Sequence, residues 1–181
     1  LDCTAAPSKT QRDLKALQGA RQALIKDRTA AKNRAKQITL VLVQKQNAKR
    51  LRQIEDDLKA IEASMLKLVN TQAQLKQRLQ IISSIPGIGQ VTALSMIVEI
   101  PELGRLDAKQ AASLAGLAPH PRESGQWKGK RFIGAGRKLL REALYMPALV
   151  ASRFNTDMKD KYDQLTNAGK PPKLAITAIM R

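Results

Sequence analysis

The residues best suited to chemistry lie between Arg122 and Arg141, where seven Lys or Arg side chains (Arg122, Lys128, Lys130, Arg131, Arg137, Lys138 and Arg141) meet one acid, Glu123. A basic loop feeding a basic helix start suits the capture of phosphate, and Arg137, Lys138 and Arg141 recur on one side of that helix. Ser124 sits inside the loop, followed by Gly125. A serine hydroxyl is a weak nucleophile unless a base or concentrated positive charge assists it and stabilises the attacked group. Arg122, Lys128, Lys130 and Arg131 carry such charge, yet residue chemistry alone leaves Ser124 an ordinary turn residue. His120, the only histidine, stands between Pro119 and Pro121, so a histidine metal cluster cannot form and the residue reads as loop-shaping. Cys3 is the only cysteine, which excludes an internal disulfide and a zinc site of several thiolates. Glu99, Glu102 and Asp107 read as capping and solvating acids rather than metal ligands. Tyr145 lacks the Arg and His neighbours of a tyrosine nucleophile and reads as packing. Trp127 either covers the loop or stacks on nucleic acid.

A second stretch, from Ile82 to Ile97, is similar to a helix-hairpin-helix element: an apolar helix end, Pro86-Gly87-Ile88-Gly89, then a second helix opening near Thr92. Gly87 and Gly89 permit a tight turn whose N–H groups, with the next helix start, can face a phosphate without reading sequence. Ile85 and Ile88 are expected to anchor that turn in the core. A plain glycine-rich connector between packed helices is the competing description.

These stretches must be held by helices. Before residue 83 the only glycine is Gly19 and no proline follows Pro7, whereas the remainder holds most of both. The expected division is therefore a coiled-coil arm over 1–82 and a compact domain over 83–181. Leu14, Leu17, Leu24, Ala31, Ala35, Ile38 and Leu42 keep a three-four spacing in a first helix, with Arg21 and Arg28 interrupting the stripe. Leu51, Ile54, Leu58, Ile61, Met65, Leu68, Gln72, Leu75, Leu79 and Ile82 keep it in a second. The polar run QKQNAKR between them predicts an antiparallel hairpin turning within 43–49, or else one bent helix that pairs with another chain. In the second region Asp107 is placed to cap a helix, and 118–136 reads as irregular or a short hairpin. Helix resumes over 136–154, where Pro147 is expected to kink or divide it. A short helix stops at Asn167-Ala168-Gly169, and Pro171-Pro172 opens a last one.

Over the 181 residues, 32 Lys plus Arg against 15 acids give a net charge of +17, which makes a polyanion the default partner. Five aromatic residues are too few for the stacking platforms of many single-strand binders. No run approaches the ~18 apolar residues of a transmembrane helix, and no membrane partner is expected. The start without methionine and the uncapped apolar end at Ile179-Met180-Arg181 are expected for a chain cut at both ends.

From Ile85 onward the sequence resembles the C-terminal transposase domain of the insertion-sequence one-ten family, the bridge-RNA-guided transposases. The resemblance runs in order through IPGIGQVTA, LDAKQAASLAGLAP, the Ser124-Gly125 step, FIGAGRKLLREALY and GKPPKLAITAIM, with the basic arm similar to the family's linker. It implies DNA strand exchange at a composite active site. Four acids of an N-terminal domain hold a divalent metal such as magnesium, and a serine matching Ser124 attacks DNA to form a phosphoserine link. It further implies a guide (bridge) RNA, a homo-oligomer (dimer or tetramer) and a bacterial cytoplasmic setting. On this basis the chain carries the nucleophile half and lacks the metal half, with no cofactor of its own.

The expected fold is all-α: a long helical hairpin or coiled coil, then a compact helical domain with a helix-hairpin-helix-like element and a basic loop. The expected function is a transposase with Ser124 as nucleophile. Gly87, Gly89, Thr92, Arg122, Lys128, Lys130, Arg131, Arg137, Lys138 and Arg141 are the expected nucleic-acid contacts. A noncatalytic nucleic-acid-binding and oligomerisation module is the alternative, and a purely structural coiled-coil adaptor accounts for the arm but not for the basic loop.

Overall fold

A computed structural model describes residues 8–121, 123, 124, 127–129 and 131–181, with the backbone alone at 123, 124, 127 and 128. The chain forms two compact units divided between Lys76 and Gln77. Among the described residues the fold is all-helical apart from a small β-hairpin insertion.

The first unit is a helical hairpin of α1 (Lys9–Ala35) and α2 (Val41–Asn70). Ser8 starts α1 with a capping box: the Gln11 N–H donates to the Ser8 hydroxyl, and the Ser8 N–H donates to the Gln11 side chain. Three side-chain bonds across the hairpin fix the antiparallel register. Gln72 Nε2 donates to Thr10 Oγ1 at 2.8 Å, Arg21 Nε to Glu62 Oε1 at 2.8 Å, and Asn47 Nδ2 to the Ala31 carbonyl at 3.1 Å. Leu14, Gln18 and Ala31 on α1 are buried, as are Asn47, Ile54, Leu58, Met65 and Val69 on α2. The interruption of the first stripe at Arg21 is thereby explained, since its side chain is only 15 % exposed and is neutralised by Glu62.

The expected turn within 43–49 is displaced to 36–40. QKQNAKR is helical, because Asn47 points into the seam and its amide is satisfied across it, while the true turn carries no glycine or proline to announce it. The expected unbroken stripe to Ile82 is also corrected. α2 ends at Asn70 and a separate α3 (Ala73–Ser83) follows; Thr71 Oγ1 donates to the Leu68 carbonyl, and Val69 rather than Leu68 is buried. Ala35 and Leu42, placed on the first stripe by spacing, lie beyond the paired part and are exposed.

In the second unit α4 (Gln90–Glu99), α5 (Ala108–Leu114), α6 (Lys138–Phe154), α7 (Thr156–Asn167) and α8 (Pro172–Met180) follow α3. The longest, α6, packs on α4, α7 and α8. Ile100, Ala115, Leu117 and Leu140 are buried together, flanked by Met96, Leu103, Leu106, Leu144 and Met180. Asp107 caps α5 with a full capping box, its carboxylate accepting from the Gln110 N–H at 2.7 Å. Gly169, at φ +74°, ends α7, and Pro172 opens α8. Pro147 does not divide α6: it is buried inside one continuous helix that packs on α4, α7 and α8. Ile85, expected in the core, is 47 % exposed and Ile88 is half-buried, while Tyr145, read as core or helix packing, is 43 % exposed. Spacing had placed Tyr145 on a helix without showing which face the core would take.

Candidate functional site

Two short antiparallel ladders join α5 to α6. The outer one pairs β1 (Pro119–His120) with β4 (Phe132–Ile133), and the inner one pairs β2 (Glu123–Ser124) with β3 (Trp127–Lys128), Ser124 opposite Trp127. This hairpin is the basic loop of the sequence. Arg122, Gly125 and Lys130 lie outside the described residues, and for Ser124, Trp127 and Lys128 the backbone pairing is what is described. His120 meets Phe132 across the outer ladder with ring centroids 6.2 Å apart, so the lone histidine takes part in hairpin packing.

The root of the hairpin is tightly built. α5 stops in a Schellman motif: the Gly116 N–H donates to the Ser113 carbonyl, and the Leu117 N–H to the Ala112 carbonyl at 2.8 Å. Gly116 has φ +67°, and across from it Ala135 and Gly136 have φ +53° and +57°. Gly136 lies so close that a Cβ there would stand 2.5 Å from the Gly116 nitrogen and 2.6 Å from the Leu114 oxygen. The Arg137 N–H then donates to the Leu114 carbonyl at 2.7 Å, so the strand returning from the hairpin enters α6 bonded to the helix it left.

Two arginines at the start of α6, Arg137 at its N-cap and Arg141 in its first turn, lock this root. Arg137 meets Glu102 as a bidentate fork, Nη1 to Oε2 at 2.6 Å and Nη2 to Oε1 at 2.7 Å, and also donates to the Glu99 carbonyl. The hydrogen bond from Arg137 holds the Glu102 carboxyl well below its ordinary 4.5, at about 2, and the same pair raises Arg137. Arg78 donates to the Pro101 and Leu103 carbonyls and so ties α3 to the segment that bears Glu102. Arg141 Nη1 donates to the Ala135 carbonyl at 2.9 Å and reaches the Gly116 carbonyl at 3.4 Å, bridging both ends of the hairpin.

The residues expected to contact nucleic acid therefore fall into different settings. Arg131 and Lys138 are exposed, the latter 3.7 Å from Glu142. Arg137 and Arg141 are half-buried and bonded inward. Gly87, at φ +93°, sits against α6, where a Cβ would meet the Pro147 carbonyl at 3.2 Å; Gly89 caps α4 with open space beside it, and Thr92 is half-buried. Spacing gave no sign of the Gly116–Gly136 contact or of Glu102 as the partner of Arg137, since residues 35 positions apart share no local pattern.

Among the described residues no three His, Cys, Asp or Glu side chains gather as metal ligands. No described helix is long and apolar enough to cross a membrane.

Residues 79–163 match the model of the Transposase IS116/IS110/IS902 family. The chain is 33% identical over 159 residues to the pilin gene-inverting protein of Moraxella bovis, covering 85% of this chain and 49% of that protein. The pilin gene-inverting protein of Moraxella lacunata matches with the same identity and coverage. A 42 kDa protein of insertion element IS900 from Mycobacterium paratuberculosis is 32% identical over 133 residues, covering 68% of this chain and 33% of its own length. The chain thus spans about half the length of the first two relatives or less of the third. The matched segment contains the whole hairpin and both arginines at its root, and over it the chain belongs to the IS116/IS110/IS902 transposase family, related to the pilin gene-inverting proteins.

Proposed function

We propose that this chain supplies the serine-bearing part of a DNA recombinase that moves or inverts a DNA segment. The observation that carries the reading is the family match over 79–163, which contains the hairpin bearing Ser124 and the root beneath it. A nucleophile must be presented at a fixed distance from its target, and Arg137, Arg141 and the Gly116–Gly136 contact make a firm base for such presentation. The Ser124 oxygen would attack a DNA phosphorus, forming a phosphoserine bond as a strand P–O bond breaks. The hydroxyl proton is released and the leaving oxygen is protonated. Exposed cations such as Arg131 and Lys138 would draw the backbone in.

Phosphate contacts carry no base sequence; the family resemblance implies a guide RNA, which would choose the DNA site by pairing. A homodimer or tetramer would bring one serine to each strand to be exchanged. A divalent ion such as magnesium would belong to carboxylates other than those described, and the setting would be the bacterial cytoplasm. The competing reading is a noncatalytic nucleic-acid-binding and oligomerisation module. It is favoured by the inward bonding of Arg137 and Arg141, which withdraws two cations from any phosphate at Ser124.

Covalent capture separates the two. In the full-length gene product, given divalent metal, guide RNA, donor and target DNA, a denaturant-resistant protein–DNA adduct is expected. Ser124→Ala should abolish it with DNA affinity nearly intact, and mass spectrometry should place the phosphate on the peptide containing Glu123, Ser124 and Gly125. An undiminished adduct in the variant, or a phosphate on Tyr145 or Ser113, would return the hairpin to plain binding.

A further inference from the structure

The tip of the α1–α2 hairpin differs from the rest of that unit. Leu40, Val41 and Leu42 are 69 %, 65 % and 68 % exposed, Val43 is 36 % exposed, and Ile38 beside them is half-buried. The side chains stand on firm backbone. The Gln44 N–H donates to the Leu40 carbonyl in the first turn of α2, and Gln44 Nε2 reaches back to the Ile38 carbonyl, both at 2.9 Å. Charge around the tip has one sign: residues 32–52 hold seven Lys or Arg, all exposed, and no acid. Farther along α2, residues 53–70 hold Glu55, Asp56, Asp57 and Glu62 against Lys59 and Lys67. α2 is therefore polarised along its length, apolar and positive at its start.

A contiguous exposed apolar cluster marks a surface that something covers. A second copy of the same tip would bring seven like charges against seven. An anionic lipid surface satisfies the charge, but anchoring at a membrane interface is typically reinforced by Trp, Tyr or Phe, and residues 8–76 contain no aromatic side chain. A nucleic-acid duplex satisfies both features: its phosphates match the cations, and aliphatic side chains can wedge between base steps. We propose that Leu40, Val41, Leu42 and Val43 form an aliphatic wedge that enters a DNA duplex between base steps while the exposed cations behind it hold the flanking phosphates. The inference rests on the DNA reading above, uses the other unit of the chain and asks nothing of Ser124.

Wedge insertion untwists the duplex, which a closed plasmid records whatever its sequence. Plasmid relaxed by topoisomerase in the presence of the 181-residue chain should, once deproteinised, show a linking number that falls with increasing protein. The double variant Leu40→Gln, Leu42→Gln replaces two exposed side chains, so its helicity should match the parent. It should lose the linking change and bind about tenfold more weakly, an order of magnitude typical for a small apolar contact, with an unchanged salt slope. Salt-dependent binding by the parent chain without a linking change would overturn the wedge and leave the DNA reading standing; no DNA binding would overturn both. A linking change that survives in the variant would also overturn it. So would a halved sedimentation mass in the variant, marking a contact between copies, or lost flotation with phosphatidylserine vesicles at unchanged DNA affinity, marking a lipid surface.

Discussion

Gly116 and Gly136 approach backbone to backbone where the basic hairpin leaves the helical core, a closeness that leaves no room for a side chain at Gly136. Gly136→Ala adds a Cβ into the Gly116 nitrogen at 2.5 Å and does so at φ +57°, where an L side chain is strained. Overpacking and the left-handed conformation together should cost about 2–4 kcal/mol, seen as a lower denaturation midpoint. Gly89→Ala, with open space and an ordinary φ of −76°, should cost far less. The Arg137–Glu102 fork makes a separate, pH-dependent statement. Folding lowers the Glu102 carboxyl from 4.5 to about 2, so the stability it contributes is fully present above 4.5 and is lost as pH falls through about 2. Both side chains are about one-third exposed, and after solvent screening the fork is worth about 1 kcal/mol. Denaturant titrations between pH 7 and 2 should show the parent chain losing its advantage over Glu102→Gln within that window and keeping it constant above. At this scale the sequence identified the chemistry of the arginines but not their partners. Arg137 and Arg141 have the spacing of phosphate contacts and are spent on Glu102 and on two hairpin carbonyls.

The helical hairpin of the first unit was legible as two apolar stripes, but its turn was not. Polar QKQNAKR imitates a loop, yet Asn47 is buried and bonded to the Ala31 carbonyl, which a one-dimensional pattern cannot anticipate. The actual turn at 36–40, Lys-Gln-Ile-Thr-Leu, is free of glycine and proline. The break at 71–72 was equally hidden, because Gln72 keeps the three-four spacing while its amide is drawn to Thr10. Burial nevertheless follows the stripe where the two helices pair, and Leu58, at 6 % exposed, lies in its middle. Leu58→Asp would leave an unpaired charge in the seam at a cost of several kcal/mol. Circular dichroism should show reduced helicity and a lower thermal midpoint, whereas an unchanged melt would mean that the seam is not a packed interface. In the second unit the caps at Asp107, Gly169 and Pro172 were readable because each acts within one helical turn.

For the molecule as a whole the excess of +17 predicts binding to duplex DNA that weakens steeply with salt, each neutralised phosphate contributing about 0.9 to the logarithmic slope. Replacing exposed Arg131 and Lys138 with Gln should shallow that slope, whereas Arg137→Gln should leave it nearly unchanged and reduce stability instead, since its guanidinium already faces Glu102. Filter binding between about 50 and 200 mM salt separates these outcomes, and equal effects from all three substitutions would place Arg137 on the DNA face after all. The sequence by itself determined the helical class, the caps, the positive surface and the family resemblance, because composition, period and short motifs are local properties of a chain. Tertiary structure alone decided which arginines bind inward, where the long hairpin turns, how two glycines meet at the root of the Ser124 loop and that Leu40 to Val43 stay exposed. Each of those depends on which parts of the chain come within a few ångströms of one another and which do not, and that is fixed only when the helices pack.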